Sequence, residues 1–301
     1  MKKFIAFLLA LTMLGCLFAG CGSADNDVEG NDYSNMTIDE LKPLIKTVTE
    51  GKLTLVTSPD FAPYEFYSLD AEGNPTLAGF DIDLANYIAD YIGLELEIVT
   101  MDFDGTILEL SAGKADIGMA GYAPKPEREN AMDFSLIYYT SGQSFVASTE
   151  TASLFPDLAS VNNPDCQIGA QISSIQADLA KEHAADAEIV ELGKVTDIVA
   201  EVVSGKLDGA FVETVVANAY AKNYPDLKVL FPVPYENAGT VVGVQKGNGP
   251  LLAAINLALQ SALDDGSFEQ YLVNAVEVAT GEKYEGLLDV NGEIPTETTA
   301  E

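Results

Sequence analysis

The sequence predicts an α/β fold of two lobes, each a mostly parallel sheet flanked by helices. Three observations support this prediction. Strand-like and helix-like segments alternate along the chain, the same alternation occurs again in the second half, and 301 residues are enough for two moderate cores. Such alternation favours parallel sheets, because neighbouring parallel strands need a crossover between them, which is usually helical.

The first twenty residues differ from the rest of the chain. "MKK" is followed by the apolar run "FIAFLLALTMLGCLFAG", which is typical of an export signal. We therefore assign residues 1–20 to a signal peptide that is removed. "LFAGC" resembles the lipobox of bacterial lipoproteins, although Phe18 stands where leucine is usual. This resemblance implies that Cys21 becomes a lipidated N-terminus, with palmitate among its lipids, and an ordinary signal peptide with a chance cysteine is the alternative.

Two segments are predicted to lie outside the folded body. Residues 21–36 are polar and acidic, with too few large aliphatic side chains to offset their ordering entropy, so we predict a flexible tether. Such a tether would hold the body roughly 20 Å from its anchor. Residues 281–301, which end in "GEIPTETTAE", are predicted to form an acidic C-terminal tail.

Residues 37–140 are assigned to the first part of lobe 1. After a helical lead-in, "TIDELKPLIKTVTE", strands are predicted in "KLTLVT", "LELEIVT" and "DIGMAG". Helices are predicted from Asp81 and in "TILELSAGK". The helix from Asp81 is indicated by apolar residues that recur at helical spacing, beginning with Phe80, Leu84, Tyr87 and Ile88.

Residues 141–238 are assigned to lobe 2, and residues 239–280 return to lobe 1. Lobe 2 repeats the scheme with "QIGAQ", "SIQADLAKEH", "AEIVEL", "TDIVAEVVSGK" and "DGAFVE". The returning segment supplies two helices, "PLLAAINLALQSALDDG" and "SFEQYLVNA". Two extended crossings, near "YYTSGQSF" and near "YENAGTVV", are expected to join the lobes.

The charge balance and the scarcity of reactive side chains exclude several classes of function. The chain has 47 acidic and 15 basic residues, a net charge of −32, which repels nucleic acid. No run of eighteen apolar residues follows the first twenty, so the body has no predicted membrane span and only the lipid contacts the membrane. We interpret Cys166 as a small buried hydrophobe and His183 as a solvated helix residue. One histidine cannot build a histidine-based metal site, and no metal or cofactor is predicted.

Arg128 is the single arginine of the chain and follows a predicted strand. The segments "SAGKADIGMA" and "VSGKLDGAFV" each carry Gly-Lys-x-Asp between a helix and an apolar strand. Ligands of open α/β sheets bind beyond the carboxyl ends of the strands, and the first of these strands leads to "GYAPKPER". A guanidinium can hold a carboxylate through two parallel hydrogen bonds, which lysine cannot do. A surface arginine, free or paired with Glu127 or Glu129, is the alternative.

Glu213 ends the second strand of this pair. If the two strand ends face each other across a cleft, the site has a cation on one lobe and an anion on the other. A zwitterionic amino acid would place its carboxylate on Arg128 and its ammonium on Glu213, and would pull the lobes together. Glu213 would also stabilise the positive end of the following helix, which is compatible with ligand binding.

Several separate motifs resemble the family-3 solute-binding proteins that serve bacterial ABC importers of polar amino acids. They are "DFAPYEF", "GFDIDLANYIA", "LSAGKADIGMAG", "PER", "MDFS", "IGAQISSIQADLAK" and "GKLDGAFVETVVA", over about residues 52–274. The resemblance implies the type II periplasmic-binding-protein fold with a two-strand hinge. It also implies that Gly79 allows a close turn and that Asp81 or Asp83 satisfies the free N–H groups and the positive end of the first long helix.

The same resemblance implies a set of ligand-binding positions. Phe61 and Phe103 would cover opposite faces of the ligand, and residues 173–176 would offer backbone and hydroxyl donors at a helix N-terminus. Arg128 would bind the carboxylate, and Glu213, where aspartate is commoner, the ammonium. The complete set is Phe61, Phe103, Gly121, Ala123, Arg128, Ser173, Ser174, Ile175, Gln176 and Glu213.

Three departures from the family pattern bear on the ligand. Ala123 stands where a hydroxyl residue is frequent, and Ile175 also replaces a hydroxyl residue. Ser58 stands where relatives that bind basic or amide side chains often have aspartate. These departures favour a neutral, small or partly apolar amino acid.

We therefore predict a monomeric, lipid-anchored, extracytoplasmic receptor that delivers an amino acid to an ABC permease and catalyses no reaction. The fold also resembles periplasmic dehydratases of cyclic amino-acid precursors, and Glu213 and Lys125 are the candidate acid and base for such an enzyme. A ligand-sensing receptor subunit is a third interpretation, which differs only in its partner. The transmembrane protein that binds the ligand-loaded form would separate it from the transport function.

Overall fold

The structure is a computed structural model that describes residues 32–69, 72–236 and 239–281. The predicted signal peptide, the lipidation site Cys21, most of the tether and nearly all of the C-terminal tail lie outside the described residues. From Tyr33 onward the described chain belongs to one compact unit. Tyr33 and Met36, which the sequence analysis places in the tether, lie partly buried against the core.

The elements alternate in type along the chain, as predicted, and are numbered here in chain order. The strands are β1 Lys52–Thr57, β2 Asp60–Phe61, β3 Glu65–Leu69, β4 Pro75–Ala78, β5 Glu95–Thr100, β6 Ile117–Gly118, β7 Met132–Phe134, β8 Gln143–Ser148, β9 Gln167–Gln171, β10 Glu188–Leu192, β11 Gly209–Glu213, β12 Leu227–Val233 and β13 Gly243–Gln245. The α-helices are α1 Ile38–Leu41, α2 Phe80–Ile92, α3 Phe103–Ser111, α4 Ile175–His183, α5 Val195–Val203, α6 Thr214–Asn223, α7 Gly249–Asp264 and α8 Ser267–Thr280.

Two five-stranded sheets define the two lobes, and both have the same strand order. Lobe 1 is built on β5-β1-β6-β13-β7 and lobe 2 on β10-β9-β11-β8-β12. In each sheet the first three strands are parallel, and the fourth, β13 or β8, is antiparallel to both of its neighbours. The predicted fold class, two lobes with mostly parallel sheets, is therefore confirmed.

The two crossings between the lobes lie side by side. Tyr139 and Thr240 form an isolated antiparallel bridge. The Thr240 N–H donates to the Tyr139 carbonyl at 2.8 Å, and the Tyr138 N–H donates to the Thr240 carbonyl at 3.0 Å. β8 follows the first crossing and β13 follows the second, so each crossing leads into the antiparallel strand of a sheet. This arrangement is the predicted two-strand hinge.

At the start of α2, the glycine has its predicted role in a close turn, but the aspartates do not have their predicted role as caps. Gly79 has φ 129°, and a Cβ placed there would lie 2.0 Å from the Tyr64 carbonyl oxygen, so the chain passes too closely for any other residue. In the part of the chain that the structure describes, no side chain caps α2. Asp81 instead accepts hydrogen bonds from the Tyr138 hydroxyl and the Gly121 N–H, because its side chain points into the lobe. The prediction that Asp81 or Asp83 satisfies the helix N–H groups is therefore wrong, whereas both aspartates lie in the first turn, near the positive end of the helix, as predicted.

Some of the remaining local predictions are confirmed and others are not. The lead-in helix is short, since α1 covers four residues before a 3-10 turn at Lys42–Leu44. The small sheet β2-β3-β4 was not predicted. Cys166 is buried, as predicted, and burial raises the pKa of its thiol. His183 ends α4 but is not fully solvated, because its side chain is 21% exposed and its ring stacks on Phe211.

Candidate ligand-binding site

A cavity lies between the lobes, at the carboxyl ends of strands from both sheets. Its volume is about 40 Å³, well below the ~300–1,000 Å³ typical of small-ligand sites, so an amino acid would need the two walls to lie further apart than they do in this structure. Its walls are formed by Phe61, Tyr64, Phe103, Ala120, Gly121, Ala123, Arg128, Ser141, Gln143, Gln171, Ser174, Ile175, Gln176, Glu213, Tyr235, Gly239 and Thr240. Nine of the ten predicted ligand-binding residues are in this set, and Ser173 is the exception.

Arg128 ends a 3-10 turn, Pro126–Arg128, on the lobe 1 side of the cavity and is 6% exposed. Its Nη1 donates to the Ala123 carbonyl at 3.1 Å, and its Nη2 donates to the Ser173 carbonyl at 2.9 Å. The second bond crosses from lobe 1 to lobe 2. The guanidinium carbon lies 5.4 Å from the ring centre of Phe103 and 5.8 Å from that of Tyr122, so aromatic faces also hold it in place.

The Arg128 guanidinium is a buried cation without a carboxylate partner among the described residues. Burial lowers its pKa, but an arginine side chain keeps its charge in proteins. Two of its five N–H groups are used by main-chain carbonyls, which leaves three for a ligand. The alternative of a surface arginine paired with Glu127 or Glu129 is wrong, because the side chain is buried and neither acid forms an ion pair with it in the described chain.

Glu213 faces the same cavity from lobe 2 and is 5% exposed. It is the last residue of β11 and the N-cap of α6, and its side chain accepts the Val216 N–H at 3.0 Å. The other carboxylate oxygen accepts the Tyr64 hydroxyl from lobe 1 at 3.0 Å. Burial raises the pKa of Glu213 to about 7, although hydrogen bonds from Ser141 and Val216 oppose this rise. A ligand ammonium would supply the opposite charge that favours the ionised form.

The aromatic walls depend on a glycine. Phe61 is buried in β2, and its ring centre lies 5.2 Å from that of Tyr64. Gly121 has φ 59°, and a Cβ placed there would lie 2.7 Å from Cε1 of Phe61. Phe103 begins α3 on the other side and packs edge-on against Tyr122. Gly121 therefore leaves room for the Phe61 ring at the cavity.

The lobe 2 wall is the N-terminus of α4. Ser174 is the N-cap, and its hydroxyl accepts the Ala177 N–H at 3.1 Å. Ile175 and Gln176 follow and line the cavity, with the Gln176 amide donating to Gln143 Oε1 at 2.7 Å. Ser173 is exposed with φ 64°, and its carbonyl accepts from Arg128. Ser173 thus positions the arginine without lining the cavity.

Eight lining residues were missed by the sequence analysis. Six of them are polar, and five come from the two crossings, which were predicted as connections rather than as walls. Gln171 ends β9, and Tyr64 lies three residues after Phe61. The missed residues are Tyr64, Ala120, Ser141, Gln143, Gln171, Tyr235, Gly239 and Thr240. For the five crossing residues, their position between the two lobes was the signal that could have found them.

A pair of buried acids lies behind the lobe 1 wall. Burial raises the pKa of Asp81 to about 6, although its bonds from Tyr138 and Gly121 oppose this rise. Burial and the neighbouring charge of Asp81 raise the pKa of Glu65 well above its usual value. Asp81 therefore links a cavity residue, Gly121, to a crossing residue, Tyr138, through hydrogen bonds of 3.3 and 2.7 Å.

The described part of the chain contains no cluster of three or more histidine, cysteine or acidic side chains arranged to hold a metal ion. Within residues 32–281, apart from the two internal gaps, no helix is both long and apolar enough to cross a membrane.

Comparison with known proteins identifies the family. The family model of the bacterial extracellular solute-binding proteins, family 3, matches residues 53–274. The arginine-binding extracellular protein ArtP of Bacillus subtilis is 30% identical over 274 residues, which is 90% of this chain and 96% of that protein. The crystal structure of an amino acid ABC transporter substrate-binding protein, AbpA of Streptococcus pneumoniae, bound to L-arginine, is 28% identical, with a TM-score of 0.73 over 77% of this chain and 97% of that chain.

A more distant relative is an enzyme. The cyclohexadienyl dehydratase of Pseudomonas aeruginosa is 23% identical over 189 residues, which is 63% of this chain and 69% of that protein. The nearer relatives named above are binding proteins and share the two-lobed type II periplasmic-binding fold. This chain belongs to family 3 of the bacterial extracellular solute-binding proteins, the amino-acid-binding components of ABC transporters.

Proposed function

We propose that this protein is an extracytoplasmic receptor that captures one free amino acid between its lobes and delivers it to an ABC permease. The observation that carries the proposal is the pair of opposite charges, Arg128 and Glu213, which face one buried cavity from different lobes. The unpaired donors of Arg128 fit an α-carboxylate, and Glu213 fits an α-ammonium. Phe61 and Phe103 would cover the two faces of the ligand.

The sequence predicts a neutral ligand side chain, whereas the comparisons favour a cationic one. The relatives described above include an arginine-binding protein and a structure with L-arginine bound. Neither Ser58 nor Asp60 lines the cavity, so these two residues do not decide between the alternatives. We therefore propose arginine as the first candidate and a neutral polar amino acid such as glutamine as the second.

A dehydratase activity is the alternative from a different class. Its support is the raised pKa of Glu213, about 7, which would suit a general acid in a closed cavity. Lys125, the other sequence candidate, forms an ion pair with Asp178 and lines a surface groove rather than this cavity. Lys125 therefore does not supply a second acid or base beside Glu213 in the cavity. The receptor function has the stronger support.

The first experiment is a ligand panel. The purified protein is unfolded and refolded to remove bound ligand, and its thermal midpoint is measured with each of the twenty amino acids. A ligand at a hundred times its Kd adds about 2.7 kcal/mol, which corresponds to a shift of several degrees. A shift with arginine supports the cationic assignment, and a shift with neutral amino acids alone supports the original prediction. Ligand-induced compaction in small-angle scattering would support closure, and an unchanged radius with bound ligand would contradict it.

The enzyme alternative has its own readout. A cyclohexadienyl carboxylate substrate is mixed with the protein, and the ultraviolet absorbance of an aromatic product is followed. Turnover by the unchanged protein that is lost in Glu213→Gln would favour the dehydratase function over the receptor function. Absence of turnover together with amino-acid binding would exclude the dehydratase for that substrate.

The membrane anchor and the partner rest on the N-terminal motif and on the family. The lipid on Cys21 would keep the receptor beside its permease, at the cell surface or the periplasmic face. Membrane fractionation tests the anchor, since Cys21→Ser should release the protein from the membrane. Crosslinking of the ligand-loaded protein tests the partner, because capture of a signalling receptor instead of a permease would favour the sensing function.

A further inference from the structure

The helix α5 of lobe 2 begins without a cap of its own. Its N-cap residue is Lys194, and no side-chain hydrogen bond caps the helix from that position. A lysine has no acceptor for a helix N–H group, and its positive charge is unfavourable at the positive end of a helix. The other two α-helices of lobe 2 are capped internally, α4 by Ser174 and α6 by Glu213. The start of α5 therefore depends on a partner outside its own segment.

That partner is a carboxylate of lobe 1. Asp60, in β2, is 6% exposed, and its Oδ2 accepts the N–H of Val195, the first residue of α5. The same oxygen lies 3.4 Å from the amide nitrogen of Gln171, and Oδ1 accepts the Ser58 hydroxyl at 2.8 Å. The Tyr220 hydroxyl of α6 donates to the main-chain carbonyl of Asp60 at 2.7 Å. A lobe 1 side chain thus caps a lobe 2 helix.

The surroundings of this contact fit the same interpretation. The Lys194 ammonium lies 3.7 Å from the Asp102 carboxylate of lobe 1, in a half-exposed ion pair. A Cβ placed on Gly193 would lie 3.1 Å from Asp102 Oδ2, so the two lobes approach closely here. The turn that starts α5, Gly193 to Val195, therefore lies against two acidic side chains of the opposite lobe.

We propose that Asp60 is a positioning residue for ligand capture, which holds the lobes together by capping α5 across the cleft. Asp60 does not line the cavity, so it would act through the equilibrium between lobes together and lobes apart rather than through the ligand. Separation of the lobes breaks the cap and leaves the start of α5 to water. The inference rests on the proposed function, because it requires a ligand that draws the two lobes together.

The test compares Asp60→Ala with the unchanged protein by stopped-flow binding of arginine and of glutamine. Loss of the cap should raise the dissociation rate constant roughly 10- to 100-fold, because a hydrogen bond to a buried charge is lost only from the state with the lobes together. The association rate constant should change little. The thermal midpoint of the ligand-free protein should stay within about 2 °C. A lower ligand-free midpoint with an unchanged dissociation rate constant would overturn the proposal in favour of a purely structural role.

Two further variants sharpen the test. Asp102→Asn removes the exposed ion pair at the same place, and its dissociation rate constant should change less than about twofold. Lys194→Ser gives α5 a cap of its own, so Asp60→Ala should have a smaller effect in that background. A loss confined to arginine, with none for a second ligand that binds, would show a direct charge contact and overturn the proposal. If the unchanged protein binds no amino acid, the proposed function itself fails, and the proposed role of Asp60, which depends on it, fails too.

Discussion

The two lobes have the same sheet order but end their third strands differently. In lobe 1, β6 is followed by a loop and a 3-10 turn before Arg128 reaches the cavity. In lobe 2, β11 ends at Glu213 itself, which is also the N-cap of α6. One charge is therefore carried by a loop, and the other is built into the junction of a strand and a helix.

Because of this difference, one of the two charged residues has a structural role in addition to ligand binding. Glu213 accepts hydrogen bonds from Val216 of its own helix and from Tyr64, so its carboxylate is used by the fold. Among the described residues, Arg128 donates only to the main-chain carbonyls of Ala123 and Ser173. A buried cation without a carboxylate is unfavourable until an anion arrives. We expect changes at Arg128 to alter binding alone, and changes at Glu213 to alter both binding and stability.

The largest effect is expected from Arg128→Lys. Lysine keeps the charge but loses the planar fork, and breaking a buried charge pair costs about 2–5 kcal/mol, so binding should weaken by about 30-fold or more. Titration calorimetry with the ligand found in the panel measures this, and circular dichroism checks that the fold is intact. Lys114→Gln is the matched control, because it removes an exposed cation of lobe 1 that pairs with Glu109. Retained affinity in a folded Arg128→Lys protein would contradict the assigned role.

The next effect is the pH dependence of binding through Glu213. Its pKa in the ligand-free protein is about 7, and an ammonium binds the ionised form, so affinity should fall by about tenfold for each pH unit below 7. Glu213→Gln should bind more weakly at pH 8 and lose this dependence. Calorimetry between pH 5.5 and 8 measures both. An identical profile in the variant would assign the titration to another group, such as Asp81, whose pKa is about 6.

The same pKa has a consequence for stability. The folded protein holds a proton on Glu213 between pH 4.5, the ordinary value, and about 7, whereas the unfolded chain has released it. Because the folded state binds more protons in this window, the contribution of Glu213 to stability falls as the pH rises through it. Ligand binding should therefore add more stability at pH 8 than at pH 5.5.

The sequence alone predicted the fold class and the two charged residues, Arg128 and Glu213, that face the cavity. Alternating periodicities predicted the two sheets, and the uniqueness of Arg128 together with its place after β6 predicted a carboxylate site. The position of Glu213 at the end of an apolar strand predicted its dual use, as ligand group and as helix cap. These predictions depend on order along the chain, which a single sequence displays directly.

The features that the sequence did not predict depend on contacts between segments that are distant along the chain. The sequence cannot show that Asp81 bonds Gly121 and Tyr138 instead of capping α2. The sequence also cannot show that the Ser58 hydroxyl donates to the buried Asp60 carboxylate at 2.8 Å, because the chain turns between these two residues and the Asp60 N–H bonds the Ser58 carbonyl. Helix caps are usually local, so a cap on α5 from the opposite lobe has no sequence signal except the unsuitable Lys194.

The smallest expected effect isolates the structural half of Glu213. Glu213→Gln and Glu213→Ala both remove the charge, so the difference between their stabilities does not depend on ionisation at this site. Glutamine keeps an oxygen that can accept the Val216 N–H, whereas alanine leaves this N–H without an acceptor, so the alanine variant should be less stable by about 1–2 kcal/mol. Urea unfolding of the ligand-free variants measures this difference. Ser174→Ala, which removes the cap of α4, should cost a similar amount, about 1 kcal/mol. Equal stability of the two Glu213 variants, with a clear loss in Ser174→Ala, would show that Glu213 serves the ligand alone and that the two strand ends differ less than their hydrogen bonds indicate.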